Sequence, residues 1–239
     1  MQQKQPVGLK TLFAALLLCV LVPGLVLLGS LVWANRQYYL VSVLVILLSL
    51  LPLLLRFERR SPQARELVIL SVMTALAVAG RAAFSFAPAF KPVAAIVILS
   101  GAAFGCEAGF LVGAATAFVS NFFFGQGPWT PWQMMGFGLI GFMGGALFAH
   151  RFQPKRLGLC VFGGLAVFCL YGPLLDVGSV LMVAGDVTRE AILAALFTGV
   201  AFNAVHAAAT VIFLALVGQP LLKKLDRVKI KYGILETDA

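Results

Sequence analysis

The sequence predicts an all-α integral membrane protein of eight transmembrane helices, a six-helix core preceded by an N-terminal two-helix hairpin. Three observations carry this. Of 239 residues, 61% are hydrophobic and only 11% are charged, against roughly a quarter charged in a soluble domain of ordinary size. The apolar residues come in long runs rather than in helical stripes. The basic residues behind the net charge of +9 collect between those runs, as the positive-inside rule expects and as a nucleic-acid-binding face would not.

A span needs about 20 apolar residues at 1.5 Å each. The runs that qualify are Thr11–Ala34, Tyr38–Leu55, Leu67–Phe86, Pro131–Ala149, Leu157–Met182 and Ala191–Val217. The first has the basic start of a signal peptide, at Lys4 and Lys10. Its length, its lack of a small-x-small cleavage site and the second run directly after it predict a retained helix. Between Pro92 and Phe124 lie 33 residues, long for one span and short for two.

Charge decides that stretch. If it holds two helices, broken near Gly105–Glu107, one side of the membrane carries 14 Lys and Arg and the other carries only Arg36, Arg81, Lys91 and Arg189. With one helix the split becomes 7 against 11. The prediction is therefore eight spans with both termini cytoplasmic.

Texture divides the chain further. Residues 1–65 form a Leu/Val-rich hairpin ending in a basic linker, 66–225 a core rich in Gly, Ala, Phe and polar residues, and 226–239 a cytoplasmic tail. Lysines from Leu222 onward are expected to meet anionic lipid. No G-x-x-x-x-G-K-[ST] occurs, so energy must come from a partner or a gradient. Cys19, Cys106, Cys160 and Cys169 lie in or beside apolar runs without metal-ligand spacing and read as small packing residues.

The densest chemical signal is Ser120-Asn-Phe-Phe-Phe-Gly-Gln-Gly-Pro-Trp-Thr-Pro-Trp-Gln133. Its Gly and Pro residues force a turn. Trp129 and Trp132 suit an interfacial belt, but together with Asn121, Gln126, Thr130 and Gln133 they offer aromatic faces and amides in one loop, the furnishing of a small-ligand pocket. Arg81, near the outer end of its span, either snorkels to the surface or aims its donors at a ligand. Lys91 marks the following loop. Asp176 is the costliest acid to bury, and is expected to pair with Arg81 or line the pocket. Asn203 and His206, one turn apart, suit interhelical hydrogen bonds, with Asn203 counted beside Asp176 in the deeper part of the candidate site. Asp186, Arg189 and Glu190 sit in the last outer loop. Ser71, Ala75, Ala79 and Ala83 form a stripe of small residues that lets another helix approach closely. Gly101, Gly105, Gly109, Gly113 and Ala117 repeat that spacing, and Gly141 and Gly145 make a G-x-x-x-G.

Over roughly Arg65 to Leu225 the chain resembles the S component of energy-coupling factor (ECF) transporters, the vitamin-uptake systems of the ABC class. The resemblance is carried by the alanine stripe, by Phe90-Lys-Pro-Val-Ala-Ala-Ile-Val-Ile-Leu-Ser-Gly101, and by Ser120-Asn121 through Gly-Gln-Gly-Pro-Trp-Thr-Pro-Trp-Gln-Met134. It implies a non-enzymatic substrate-binding subunit of the bacterial cell membrane, capturing a vitamin or precursor at the outer face. Its loop looks closest to those of cobalamin-type or related precursor carriers. The implied partners are a transmembrane coupling subunit and two ATPase subunits, which hydrolyse the ATP; no cofactor belongs to this chain. The family's A-x-x-x-A docking motif falls on Ala75 and Ala79, while the two extra N-terminal helices depart from the six-helix pattern. The rival reading is a stand-alone secondary transporter for a small polar solute. It lacks support from internal repeats, and Asp176 is the one deep acid it would have. An intramembrane serine protease is weaker still, since Ser100 lacks the G-x-S-G context and His206 has no evident partner.

Overall fold

The computed structural model describes residues 64–149, 154–183 and 188–232. They form six continuous helices: α1 Ala64–Ala83, α2 Val93–Phe104, α3 Cys106–Phe124, α4 Trp129–Phe148, α5 Arg156–Val183 and α6 Arg189–Tyr232. The hairpin expected over residues 1–65 lies outside the described residues apart from its last two, which begin α1.

The break expected near Gly105–Glu107 falls on Gly105, whose φ of 97° belongs to the region that glycine enters without a Cβ penalty. Gly125, at φ 100°, ends α3 in the same way. Pro128 precedes the first turn of α4, and Pro131 stands within that turn, where a missing N–H costs nothing. Thr188 caps α6 by accepting from the Ala191 backbone N–H at 3.1 Å.

Two prolines shape the long helices. A proline inside a helix clashes with the carbonyl four residues before it. For Pro173 that residue is Cys169 and for Pro220 it is Leu216, and each lies at the middle of a five-residue π-helical stretch, Val167–Tyr171 and Leu214–Gly218. The wider turn accommodates both rings without breaking the helix. One consequence departs from the sequence reading. The helix that holds the last span, expected to stop at Val217, runs on through Gln219–Tyr232. Arg65 Nη1 donates to the Tyr232 carbonyl at 2.8 Å, tying the start of α1 to the end of α6.

Helices α2, α3 and α4 make the tightest mutual packing, and α1 lies against α2 and α3, while α5 and α6 pair with each other. Every residue of α2 is buried. Methyl groups built on Gly101 or Gly109 would both overlap the carbonyl oxygen of Gly141, so three backbones meet at one point. This is the close approach that small residues permit where lipid supplies no hydrophobic drive between helices. Four described helices are long and apolar enough to cross a membrane: Ala64–Ala83, Cys106–Phe124, Arg156–Met182 and Arg189–Tyr232. Helix α2 is apolar but short, and α4 is glycine-rich. Both are enclosed by neighbours and face protein more than lipid.

Candidate functional site

The end of α1, the end of α3 and the start of α4 converge on one polar network. Gly125 and Gly127 turn the chain sharply enough that Asn121 and Thr130, nine residues apart, face each other. Asn121 is fully buried and spends both ends of its amide: Oδ1 accepts from Arg81 Nη1 at 2.8 Å, and Nδ2 donates to Thr130 Oγ1 and Gln133 Oε1, each at 2.9 Å. Thr130 donates to Gln126 Oε1 at 2.8 Å, and Gln126 Nε2 donates to the Phe118 carbonyl at 3.0 Å. Arg81 Nη1 also donates to Ser120 Oγ. Partly buried groups this closely coupled hold one arrangement, because breaking one bond leaves a desolvated partner unpaired.

Aromatic rings surround the network. The Arg81 guanidinium carbon lies 4.8 Å from the centre of the Phe124 ring, and Lys91 Nζ lies 5.9 Å from the same ring. Phe84, Phe90 and Phe213 form a cluster with centroids 5.2–6.2 Å apart. Ala89, buried in the connecting loop, has a φ of 58°, an uncommon conformation for a residue with a Cβ. Trp129 is 42% exposed and folds over Gly127, where any Cβ would collide with its ring.

Trp132 turns the other way. It is 3% exposed and lies against Gly178 of α5, where a Cβ would meet the indole at 2.7 Å. Its Nε1 is the one buried side-chain donor or acceptor without a partner among the described residues. Beyond it, Phe137, Tyr171 and His206 pack with centroids 4.4 Å (Phe137–Tyr171, tilted) and 5.1 Å (Tyr171–His206, edge to face) apart.

Seven of the nine expected binding residues are thus neighbours or belong to the same loop: Arg81, Asn121, Gln126, Trp129, Thr130, Trp132 and Gln133. The other two form a separate pair. Asn203 Nδ2 donates to Asp176 Oδ2 at 2.7 Å, so the expected alternative of an Arg81–Asp176 pair is not realised. The reason is steric as well as polar: Asn203 fills the notch at Gly172, and Asp176 fills the notch at Gly199. His206 does not share Asn203's hydrogen bond and packs edge to face with Tyr171 instead. Ser71, Ala75, Ala79 and Ala83 are all exposed on α1, and Ser71 turns its hydroxyl back to the Leu67 carbonyl at 2.8 Å.

Sequence reasoning missed Ser120 and Phe124, although both stand inside the motif it singled out. It also missed Phe84, Phe90 and Phe213, which converge from distant positions and carry no spacing signal.

Residues 62–227 match the family model described as ECF-type riboflavin transporter, S component. No curated protein and no solved structure matched. The family match spans well over half of the chain and contains all six helices nearly in full. The chain therefore belongs to the ECF-type riboflavin transporter S-component family, the substrate-specific membrane subunits of a class of vitamin transporters.

Proposed function

We propose that this chain captures riboflavin, or a nutrient sharing its flat tricyclic ring, at the outer mouth of the six-helix core. It passes the ligand on with the help of a transmembrane coupling subunit and two ATPase subunits. The flavin assignment rests on the family match and replaces the cobalamin-related substrate suggested by the loop. Both termini are taken as cytoplasmic on the asymmetry of 14 against 4 basic residues, which puts Arg81 and the 125–133 loop outside. The exposed stripe Ser71, Ala75, Ala79 and Ala83 is the face offered to the coupling subunit.

The observation that carries the reading is the Asn121 hub. By accepting Asn121's donation on Oε1, Gln133 keeps its amide nitrogen without a partner among the described residues, in the same turn segment as the half-exposed rings of Trp129 and Phe124. A planar heteroaromatic ligand stacks on such rings at low entropic cost, and its ring carbonyls accept from a fixed amide. Asn121 and Thr130, both buried, act as positioning residues.

Calorimetric titration of the full chain in detergent tests this. Riboflavin is expected to bind and cobalamin not to compete. Trp129→Ala and Gln133→Ala should each weaken binding by roughly 1–3 kcal/mol. Cobalamin binding without riboflavin binding would overturn the assignment.

A further inference from the structure

We propose that Arg81 and Lys91 form a two-cation subsite that holds a phosphate monoester carried by the substrate, so that the site takes the phosphorylated flavin in preference to the neutral one. The proposal rests on the flavin reading and deepens it.

Both cationic heads lie within 6 Å of the centre of the same Phe124 ring, at 4.8 and 5.9 Å, and the Arg81 charge bears on the Lys91 ammonium. Neither has a carboxylate partner among the described residues. Asp176, the acid that sequence reasoning offered to Arg81, is bonded to Asn203. The hydrogen bonds of Arg81 among the described residues all leave from Nη1, to Ser120 and Asn121. Those two bonds fix the plane of the guanidinium. They leave Nε and Nη2 unclaimed, and that edge is the one that grips an oxyanion with two parallel bonds.

Each cation also has a different relation to its helix end. Arg81, in the last turn of α1, sits at the negative end of a macrodipole, which offsets part of the cost of its burial. Lys91 has no such support. It stands two residues before Val93, the first residue of α2, at the end of a macrodipole that repels a cation and attracts an anion. Partial burial and, next, the nearby Arg81 push the Lys91 ammonium below its ordinary range. A phosphate between the two heads relieves all three costs at once: the mutual repulsion, the lost hydration and the unfavourable helix end. A carbonyl or hydroxyl relieves less, since it brings no charge. Phe84 and Phe90 lie on the same loop as Lys91 and pack with Phe213 of α6, so the proposal divides the labour between rings for the flat part of the ligand and cations for its charged end.

The test compares riboflavin with riboflavin 5′-phosphate on the full-length protein by fluorescence quenching at low and high salt. At low salt the phosphorylated ligand should bind about tenfold more tightly, and the preference should shrink as salt screens the charges. Lys91→Gln should reduce the affinity ratio at least about fivefold, and Lys91→Arg should retain it. Equal affinities at low salt, or a preference indifferent to Lys91→Gln, overturns the proposal while the flavin reading stands. If neither flavin binds, both fall. Repeating the titration in nanodiscs separates a substrate phosphate from a lipid one. A preference present in zwitterionic discs and abolished in phosphatidylglycerol discs at the same salt assigns the two cations to headgroups and also overturns the proposal.

Discussion

The α2–α4 bundle and the α5–α6 hairpin both use glycine to bring helices together, but they do different things with the space. In the bundle, Gly101, Gly109 and Gly141 let backbone touch backbone, and the nearest atoms in each notch belong to another main chain. In the hairpin, two of the notches hold polar side chains: Asn203 over Gly172 and Asp176 over Gly199, joined by a 2.7 Å hydrogen bond. A backbone contact cannot yield, whereas a side chain can rotate away. The bundle is accordingly the rigid frame on which Asn121 and Thr130 are held, and the hairpin is a joint whose cost of deformation is small. The stripe on α1 is a third case, small residues left exposed.

This comparison can be broken in three ways. The largest effect is expected from Gly141→Ala, whose methyl group would overlap the Gly109 carbonyl, a main-chain group that no rotamer change moves aside, and crowd Val97 as well. Overpacking of this kind costs about 3 kcal/mol or more where the backbone must shift. Thermal unfolding in detergent should show a large fall in midpoint and a loss of riboflavin binding. A variant as stable as the parent would show that the three-backbone contact is not the frame.

Second comes Ala79→Leu on the exposed stripe. It should leave the isolated protein folded and ligand-binding, because Ala79 is exposed, yet should abolish most uptake by blocking close approach of the coupling subunit. Normal uptake in cells carrying both Ala75→Leu and Ala79→Leu would remove α1 as the docking face.

The smallest effect is expected at the joint. Gly199→Ala crowds the Asp176 carboxylate and should cost roughly 1–2 kcal/mol. Adding Asp176→Ala should recover part of that loss, since the crowding atom is gone. Asp176→Ala alone should cost about 0.6 kcal/mol, the average found for interhelical hydrogen bonds in membranes. Unfolding midpoints of the three variants give the coupling directly. Strict additivity would mean that Asp176 does not occupy the Gly199 notch.

How much was legible in advance follows from the reach of each interaction. The break at Gly105 could be placed to within three residues, because charge summed over whole loops weighs one topology against another and a glycine in the right place admits the turn. The Ser120–Gln133 segment could be singled out because its hydrogen bonds, Asn121 to Thr130 and Asn121 to Gln133, span only 9 and 12 residues. The pairing of Asp176 could not. Arg81 and Asn203 were both within plausible reach, and only the notches at Gly172 and Gly199, on two different helices, select Asn203. Trp132 was read with Trp129 as a ring of the ligand pocket, since both share one motif. Three residues turn a helix by roughly 300°, enough to send one outward and the other against Gly178.

The sequence by itself determined the solvent, the six described helices of the core and the loop that gathers the amides, because hydropathy, charge balance and turn chemistry act over short stretches and add up along the chain. The continuation of α6 past Val217, the meeting of three backbones at Gly141, the separation of Asp176 from Arg81 and the gathering of Arg81 and Lys91 on one Phe124 ring were decided by the tertiary structure. Each depends on which helix faces which and at what height. A one-dimensional pattern carries no record of that, since it is settled by steric fit among atoms from three or more segments at once.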